Sequence, residues 1–339
     1  VTATATLPPP GAPPLLAMES VDVILGRGWR AAKVLSGVDL RIWPGEIVGL
    51  VGETGSGKTT LARTVVGLVP PARGRIVFDG TTISQLRPRA RRAVRRRGHV
   101  QLVFQDPLRS LDPDLTVDEI VGEGLRIRGE ADSAEIRRRV IAALEQVGLD
   151  ATLLDRTPGQ ISGGQRQRVS IARALAADPR LLICDEPVSA LDASSRNYIL
   201  RLLQQLRDSL GLPIVVISHD LSSLAGIADR VVVLYRGRIV EDGPVEQVFA
   251  APRHPYTALL MASAPSVRHD RPLSPRQLRR ADTDPAPPGS PEACVFAHRC
   301  PFAAAACAEQ PALEPAGERW SVACHRREEW GALARNRPR

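Results

Sequence analysis

Short β-branched apolar runs alternate with stretches of helical periodicity from about residue 18 to residue 265. Ile47–Val51, Val100–Phe104, Leu181–Cys184, Ile214–Ile217 and Val231–Tyr235 are nearly continuous apolar sequence. Runs of that length and composition predict strands buried on both faces. Amphipathic stretches at Ala134–Val147 and Ser195–Leu210 predict helices between them. Such alternation implies an α/β domain with a largely parallel sheet covered by helices. From about 106 to 178 only helical patterns occur, which predicts a helical subdomain set into that domain.

The flanks read differently. Residues 1–17 are rich in Pro, Thr and Ala and predict a disordered tail, because they offer too little apolar surface to offset ordering entropy. Residues 266–290 shift to Pro, Arg and Asp and predict a linker. Residues 291–339 hold four of the five cysteines, so they predict a small appended module.

Composition narrows the class. The 339 residues are 43% hydrophobic and 24% charged, which suits a well-packed α/β protein. No apolar run approaches the roughly 18 residues needed to cross a bilayer, and the N-terminus lacks a secretory pattern. If the protein serves a membrane, it is expected to do so by docking at the cytoplasmic face. A net charge of +8 is compatible with nucleic acid, an anionic ligand, a membrane surface or simply a basic exterior. The arginine-rich run Arg87–Arg97 predicts a solvated helix face.

The chemistry starts at Gly52-Glu53-Thr54-Gly55-Ser56-Gly57-Lys58-Thr59, followed by Thr60. It matches the P-loop pattern G-x-x-x-x-G-K-[ST] and follows a predicted strand. Glycines let backbone N–H groups curl around phosphate oxygens, and the following helix adds its positive end. Lys58 brings a charge to the β- and γ-phosphates, and the Thr59 hydroxyl is a Mg²⁺ ligand. The strand Leu181–Cys184 then ends in Asp185-Glu186, where Asp185 is placed for the Mg²⁺ shell. Glu186 is placed to polarise the attacking water as general base.

Ile161-Ser162-Gly163-Gly164-Gln165 resembles the LSGGQ signature of ATP-binding-cassette (ABC) ATPases, with Ile for the usual Leu. Three further elements follow the order of that family. Gln105 in Val-Phe-Gln-Asp-Pro resembles the Q-loop glutamine, Ser189-Ala190-Leu191-Asp192 the D-loop, and His219 the switch histidine at the γ-phosphate. The resemblance implies a P-loop NTPase cassette: a mostly parallel sheet, an antiparallel β edge and a helical subdomain. It implies ATP and Mg²⁺ as ligands, with Gln105 sensing the metal and Ser162, Gly163 and Gly164 capping nucleotide on a partner cassette. The family usually stacks an aromatic ring on adenine before the P-loop. That register falls on Leu25, leaving Trp29 as either the substitute or a surface residue.

The segments 104–113 and Pro252-Arg-His254-Pro255-Tyr256-Thr257 resemble the oligopeptide/dipeptide importer branch, as does the tail with Cys294, Cys300, Cys307 and Cys324. Gaps of five, six and sixteen residues fit a zinc pattern poorly. Three alternatives stand for these thiols: a [4Fe–4S] cluster, which the resemblance implies for some members, zinc, or no ligand. His298 and His325 are candidate substitute ligands. The implied partners are a second ABC ATPase, two integral membrane permeases and, indirectly, an extracytoplasmic solute-binding protein, without nucleic acid. Rival readings are a DNA-repair or chromosome ATPase, a translation factor and a soluble accessory ATPase. The first two conflict with the absence of long heptads and of a second cassette.

Overall fold

The computed structural model describes residues 12–129, 132–189, 191–263, 273–281, 290 and 292–337. Strands β1 (Leu16–Leu25) and β2 (Ala32–Ile42) pair antiparallel around a short 3₁₀ turn, Gly28–Arg30. β3 (Ile47–Val51) leads through the P-loop into α1 (Lys58–Val65). β4 (Arg73–Phe78) and β5 (Thr81–Thr82) return to the first pair and complete a sheet of order β2-β1-β4-β5. α2 (Pro88–Arg96) buries no side chain, as its run of arginines predicts, and precedes β6 (Val100–Val103).

The expected helical subdomain consists of α3 (Pro107–Ser110), α4 (Val117–Arg128), α5 (Ser133–Gln146) and α6 (Gly163–Leu175). Their ends follow local chemistry. Thr116 and Glu119 form a reciprocal capping box on α4, and Ser162 and Gln165 form another on α6. β7 (Leu181–Asp185), α7 (Ala193–Leu210), β8 (Ile214–Ser218), α8 (Leu221–Ala225) and β9 (Arg230–Tyr235) complete the α/β alternation. β10 (Arg238–Pro244), α9 (Val245–Ala250) and α10 (Pro255–Ser263) follow, then β11 (Glu314–Gly317), β12 (Trp320–Val322) and α11 (Trp330–Arg335).

The main sheet has the order β11-β12-β10-β9-β3-β8-β7-β6. Strands β9, β3, β8, β7 and β6 are parallel, and β10, β12 and β11 extend them as an antiparallel edge. Each central strand is buried on both faces, which accounts for its unbroken apolar sequence. Val48, Leu50, Leu181 and Ile183 pack with α1 and the smaller sheet. Ile47, Val51, Leu182 and Cys184 pack on the other face with the helical subdomain, α7 and the C-terminal region. Burial pushes the Cys184 thiol up, consistent with its expected role as a small core residue.

Three boundaries differ from expectation. Leu15, Leu16 and Ala17 are buried and β1 begins at Leu16, so the fold starts before residue 18; residues 1–11 lie outside the described residues. Two leucines after a proline run look like tail, yet they seal one end of the β1 hairpin. Within the expected linker, Gln277 and Leu278 are buried, and Gln277 Nε2 donates to the Ala334 and Arg337 carbonyls at 3.2 and 2.9 Å. Most of the remaining 266–290 segment lies outside the described residues. The cysteine region is continuous with the cassette rather than appended to it: β12 pairs with β10, and Phe296, Trp320 and Trp330 join the main core.

Candidate functional site

Three neighbouring parallel strands deliver the site. Val51 pairs with Ser218, and Ile217 pairs with Asp185, so β3, β8 and β7 end side by side. The P-loop, His219 and the Asp185-Glu186 pair follow directly from those ends, the carboxyl edge where ligands bind in open α/β sheets. The P-loop, His219 and Glu186 line a cleft of about 960 Å³ with Gln105, Ser189, Arg196 and Leu260, and Asp185 lines an adjoining one with Thr59 and Gln105.

The P-loop is shaped by its glycines. Gly52, Gly55 and Gly57 have φ of 156°, 82° and 108°; a Cβ on Gly57 would lie 2.8 Å from Leu35 Cδ2. Gly57 is thus the left-handed residue that turns the loop into α1. Lys58 is buried, and its Nζ donates to the Gly52 and Glu53 carbonyls at 2.7 and 2.9 Å. Burial lowers its pKa, while the charges of Glu186, Asp185 and Glu53 oppose that shift. Thr59 Oγ1 donates to Asp185 Oδ2 at 2.9 Å, which sets the two expected Mg²⁺ ligands against each other. Burial raises the Asp185 pKa, and the Thr59 bond opposes it.

Glu186 is the focus of the cleft. Gln105 Nε2 donates to its Oε2 at 2.8 Å, and His219 Nδ1 lies 3.1 Å from its Oε1. Residues from two separate segments therefore hold one carboxylate. The backbone at Glu186 is left-handed, with φ of 49°, a costly conformation for a residue with a side chain. Its N–H donates to the Ile217 carbonyl at 2.9 Å, which ties that turn to β8. Gln105 directs its amide nitrogen at the acid here rather than at Thr59 or Asp185.

The signature residues are placed elsewhere. Ser162 Oγ accepts from Gln165 N–H, and Gln165 Oε1 accepts from Ser162 N–H at 2.8 Å, at the N-terminus of α6. Neither these residues nor Gly163 and Gly164 line the cleft formed by their own chain's P-loop. Asp192 caps α7 by accepting from the Ser194 and Ser195 N–H groups, both at 3.0 Å. The Ser194 hydroxyl and those amides hold its carboxyl well below the usual range. Ala190 of the expected D-loop lies outside the described residues. Trp29 is 88% exposed in the β1–β2 turn and does not line the cleft; Val34 does.

The four tail cysteines converge on one small cavity, with Phe296, Phe302, His254 and His325 around them. Cys307 Sγ accepts from Ala304 N–H at 3.5 Å, and nearby backbone N–H groups partly offset the burial of Cys294, Cys300 and Cys324. Burial pushes the Cys300 and Cys324 thiols up to about 12. Among the described residues, no three His, Cys, Asp or Glu side chains stand close enough to hold one metal ion. His298 instead meets the Tyr235 hydroxyl at 3.3 Å, and His325 Nε2 meets the Glu309 carbonyl at 3.0 Å.

Two contacts were not legible in advance. Glu53 N–H donates to the Tyr256 hydroxyl at 2.8 Å, and Arg299 forms a two-pronged ion pair with the Glu53 carboxylate. Both partners belong to segments that serve, in sequence, only to mark a branch.

A cleft with this P-loop, acid pair and glutamine–histidine bracket defines a nucleotide-hydrolysing cassette. Residues 35–189 match the family described as ABC transporter, and residues 240–307 match the oligopeptide/dipeptide transporter C-terminal region. The chain is 43% identical over 307 residues to the oligopeptide transport ATP-binding protein OppF of Escherichia coli, covering 88% of this chain and 91% of that one. It is 40% identical over 293 residues to the dipeptide transport ATP-binding protein DppF of Haemophilus influenzae, covering 86% and 88%. A Brucella ovis relative, provisionally named a peptide import ATP-binding protein, is 48% identical over 276 residues, 81% of this chain and 86% of that one. Among solved structures, an ATP-binding cassette captured as a dimer with ADP and Pi aligns with a TM-score of 0.62 at 31% identity, over 68% of this chain and 98% of that one. A second, cbiO1 from Clostridium perfringens, part of a cbiONQ transporter complex, gives 0.63 at 31%, over 70% and 92%. The chain belongs to the ABC transporter ATP-binding proteins, in the branch that carries the oligopeptide/dipeptide transporter C-terminal region, and it is an ATPase. No helix among the described residues is long and apolar enough to cross a membrane.

Proposed function

We propose that this chain hydrolyses MgATP as one of two cassettes driving import of oligopeptides, dipeptides or a related small solute. The pairing of Gln105 and His219 on the Glu186 carboxylate carries the reading. Lys58 and the P-loop amides would bind the β- and γ-phosphates, and Thr59 with Asp185 would hold Mg²⁺, which supplies charge neutralisation at the phosphates. Glu186 takes a proton from the attacking water, His219 steadies the γ-phosphate side, and Gln105 fixes the acid's orientation. Signature residues Ser162, Gly163 and Gly164 would complete the site of a second cassette, the same chain or a different one. Two membrane permeases would take up the motion at the cytoplasmic face, fed by an extracytoplasmic binding protein. Substitution Glu186→Gln tests the assignment. Nucleotide binding should persist while turnover falls by about 100-fold or more; an unchanged rate refutes the role of Glu186.

The cysteine cavity supports a second component of the proposal, a [4Fe–4S] cluster held by Cys294, Cys300, Cys307 and Cys324. A cluster spreads its four thiolates over several irons, so it tolerates a spacing too wide for one ion. The four thiols share one small cavity, where nearby backbone N–H groups work against the burial that favours their protonated form. When bound, the cluster would supply a cross-link among the turns that carry these cysteines. Iron content after anaerobic purification tests it.

A further inference from the structure

Glu53, the second residue of the P-loop, is held at three groups. Its carbonyl accepts from Lys58 and its N–H donates to Tyr256, as above. Its carboxylate meets Arg299 through Nη1–Oε2 at 2.7 Å and Nη2–Oε1 at 3.0 Å. The two partners belong to one aromatic cluster. Tyr256 and Tyr235 are buried with ring centroids 4.4 Å apart, and buried Phe296 lies 5.3 and 5.5 Å from Tyr235 and Tyr256. The Arg299 guanidinium sits 5.8 Å from both the Tyr235 and Phe296 ring centres. Phe296 and Arg299 lie on the turn between Cys294 and Cys300, where Arg299 N–H and Cys300 N–H both donate to the Phe296 carbonyl. That turn is closed at its base by Cys294 N–H donating to the Cys307 carbonyl at 3.0 Å.

We propose that Arg299 and Tyr256 are positioning residues of the nucleotide site, through which the cysteine-bounded turn 294–300 holds Glu53 and so sets how tightly the P-loop binds nucleotide. Several glycines with left-handed backbone make a phosphate loop intrinsically able to adopt other shapes. A loop that spends only a fraction of its time in the binding shape loses affinity by that fraction. Arg299 restricts the side chain and Tyr256 the backbone, so the two act on one residue by independent routes. Arg299 and Glu53 are 39% and 42% exposed, and an ion pair that open adds little to global stability. A fixed, bidentate fork is instead suited to orientation, a geometry that lysine does not reproduce.

The inference rests on the P-loop reading, and the experiment separates the two. A fluorescent ATP analogue with Mg²⁺ is titrated into the full chain and into Arg299→Ala, Arg299→Lys, Glu53→Gln, Tyr256→Phe and Arg299→Ala/Glu53→Gln. Failure of the unmodified chain to bind defeats the P-loop reading itself. If the inference holds, Arg299→Ala and Glu53→Gln each weaken binding by about fivefold, and the double variant is no weaker than either. Arg299→Lys falls between, Tyr256→Phe weakens binding by its separate route, and melting without nucleotide is unchanged for the Arg299 and Glu53 variants. Affinity within twofold of the unmodified chain for both Arg299→Ala and Tyr256→Phe overturns it, as does full additivity in the double variant. A fall in melting temperature without loss of affinity in Arg299→Ala would assign the pair to stability alone and also overturn it.

Discussion

Glu241 is the buried residue whose loss should be felt farthest. It lies on β10 with no exposed surface. Its Oε1 accepts from Arg253 N–H at 2.8 Å and from Trp320 Nε1 at 3.0 Å, and its Oε2 accepts from His254 N–H at 3.1 Å. One carboxylate thus joins the antiparallel edge of the main sheet to the turn that launches α10 and to β12. Burial raises its pKa, and the N–H donors work against that shift.

Substitution Glu241→Ala would strand three donors in a dry space. An unpaired buried donor costs about 1–3 kcal/mol. Entry of water and settling of the turn recover part of the sum, leaving a loss of about 3–5 kcal/mol. Glu241→Gln keeps the shape and one accepting oxygen but turns an NH₂ group towards N–H donors, so about 1–3 kcal/mol is expected. Urea unfolding followed by tryptophan fluorescence measures both. Trp320 and Trp330 report the C-terminal region and Trp43 the β2–β3 corner, so early release of the former pair should separate the two transitions. Because Tyr256 follows the turn that Glu241 anchors, nucleotide affinity should fall as well. A loss below about 1 kcal/mol for Glu241→Ala would refute the view that this carboxylate ties the region together.

How much of this was legible in sequence depends on the range of the interaction. The phosphate loop, the acid pair and the α6 capping box are written in contiguous residues, because each is a turn or a helix end whose geometry is set by its own neighbours. Strand identities were legible for the same reason: burial on both faces leaves an unbroken apolar run. The bracket on Glu186 was not legible: Gln105 and His219 were expected at the metal and the γ-phosphate, and the order of strands in the sheet brings both to the acid. Glu53 was different. Its partners are 203 and 246 residues away, and neither periodicity nor spacing links a tyrosine in α10 to a backbone amide in the P-loop. Trp29 was left open in sequence between adenine partner and surface residue, and it belongs to an exposed turn. The C-terminal segment looked separate because its cysteines cluster, yet the strand Trp320–Val322 is too short to announce that it extends the main sheet.

Two further outcomes are expected. If the cysteine cavity holds a cluster, anaerobically purified protein should be brown, with about four irons per chain, and colourless iron-free protein would remove the cluster from the proposal. Asp22 accepts from Gly37 N–H at 2.7 Å and pairs with Lys33 at 2.9 Å. Burial alone would raise its pKa, but the Lys33 and Gly37 bonds prevail and lower it. A carboxyl lowered in the folded state stabilises above the ordinary carboxylate pKa of about 4 and loses that contribution as pH falls through the folded value. Asp22→Asn should therefore cost up to about 1 kcal/mol at neutral pH, with the difference closing in acid. A gap that stays constant from neutral pH down to about 3 would contradict the assignment.

The P-loop and the signature place opposite demands on the molecule. Lys58 spends its charge on the Gly52 and Glu53 carbonyls, so phosphate oxygens must compete with those two bonds for the ammonium. Release of the Glu53 carbonyl leaves that residue held by Tyr256 and Arg299, and the C-terminal region then bears directly on the loop around the phosphates. Ser162 and Gln165, by contrast, satisfy each other at the end of α6, outside their own chain's cleft. On the proposed reading, a site assembled from both elements would need two chains, one contributing a loop braced from its C-terminal region and the other a helix end already capped. Tight bracing would favour nucleotide capture before a partner closes, and loss of the γ-phosphate would remove the contact on which the partner's α6 would rest. The Glu53 clamp and the proposed two-chain closure would thus be sequential: the first acting on binding by one cassette, the second only on the pair. Arg299→Ala should accordingly weaken nucleotide capture at any protein concentration, whereas a change at Ser162 should be felt only where cassettes meet.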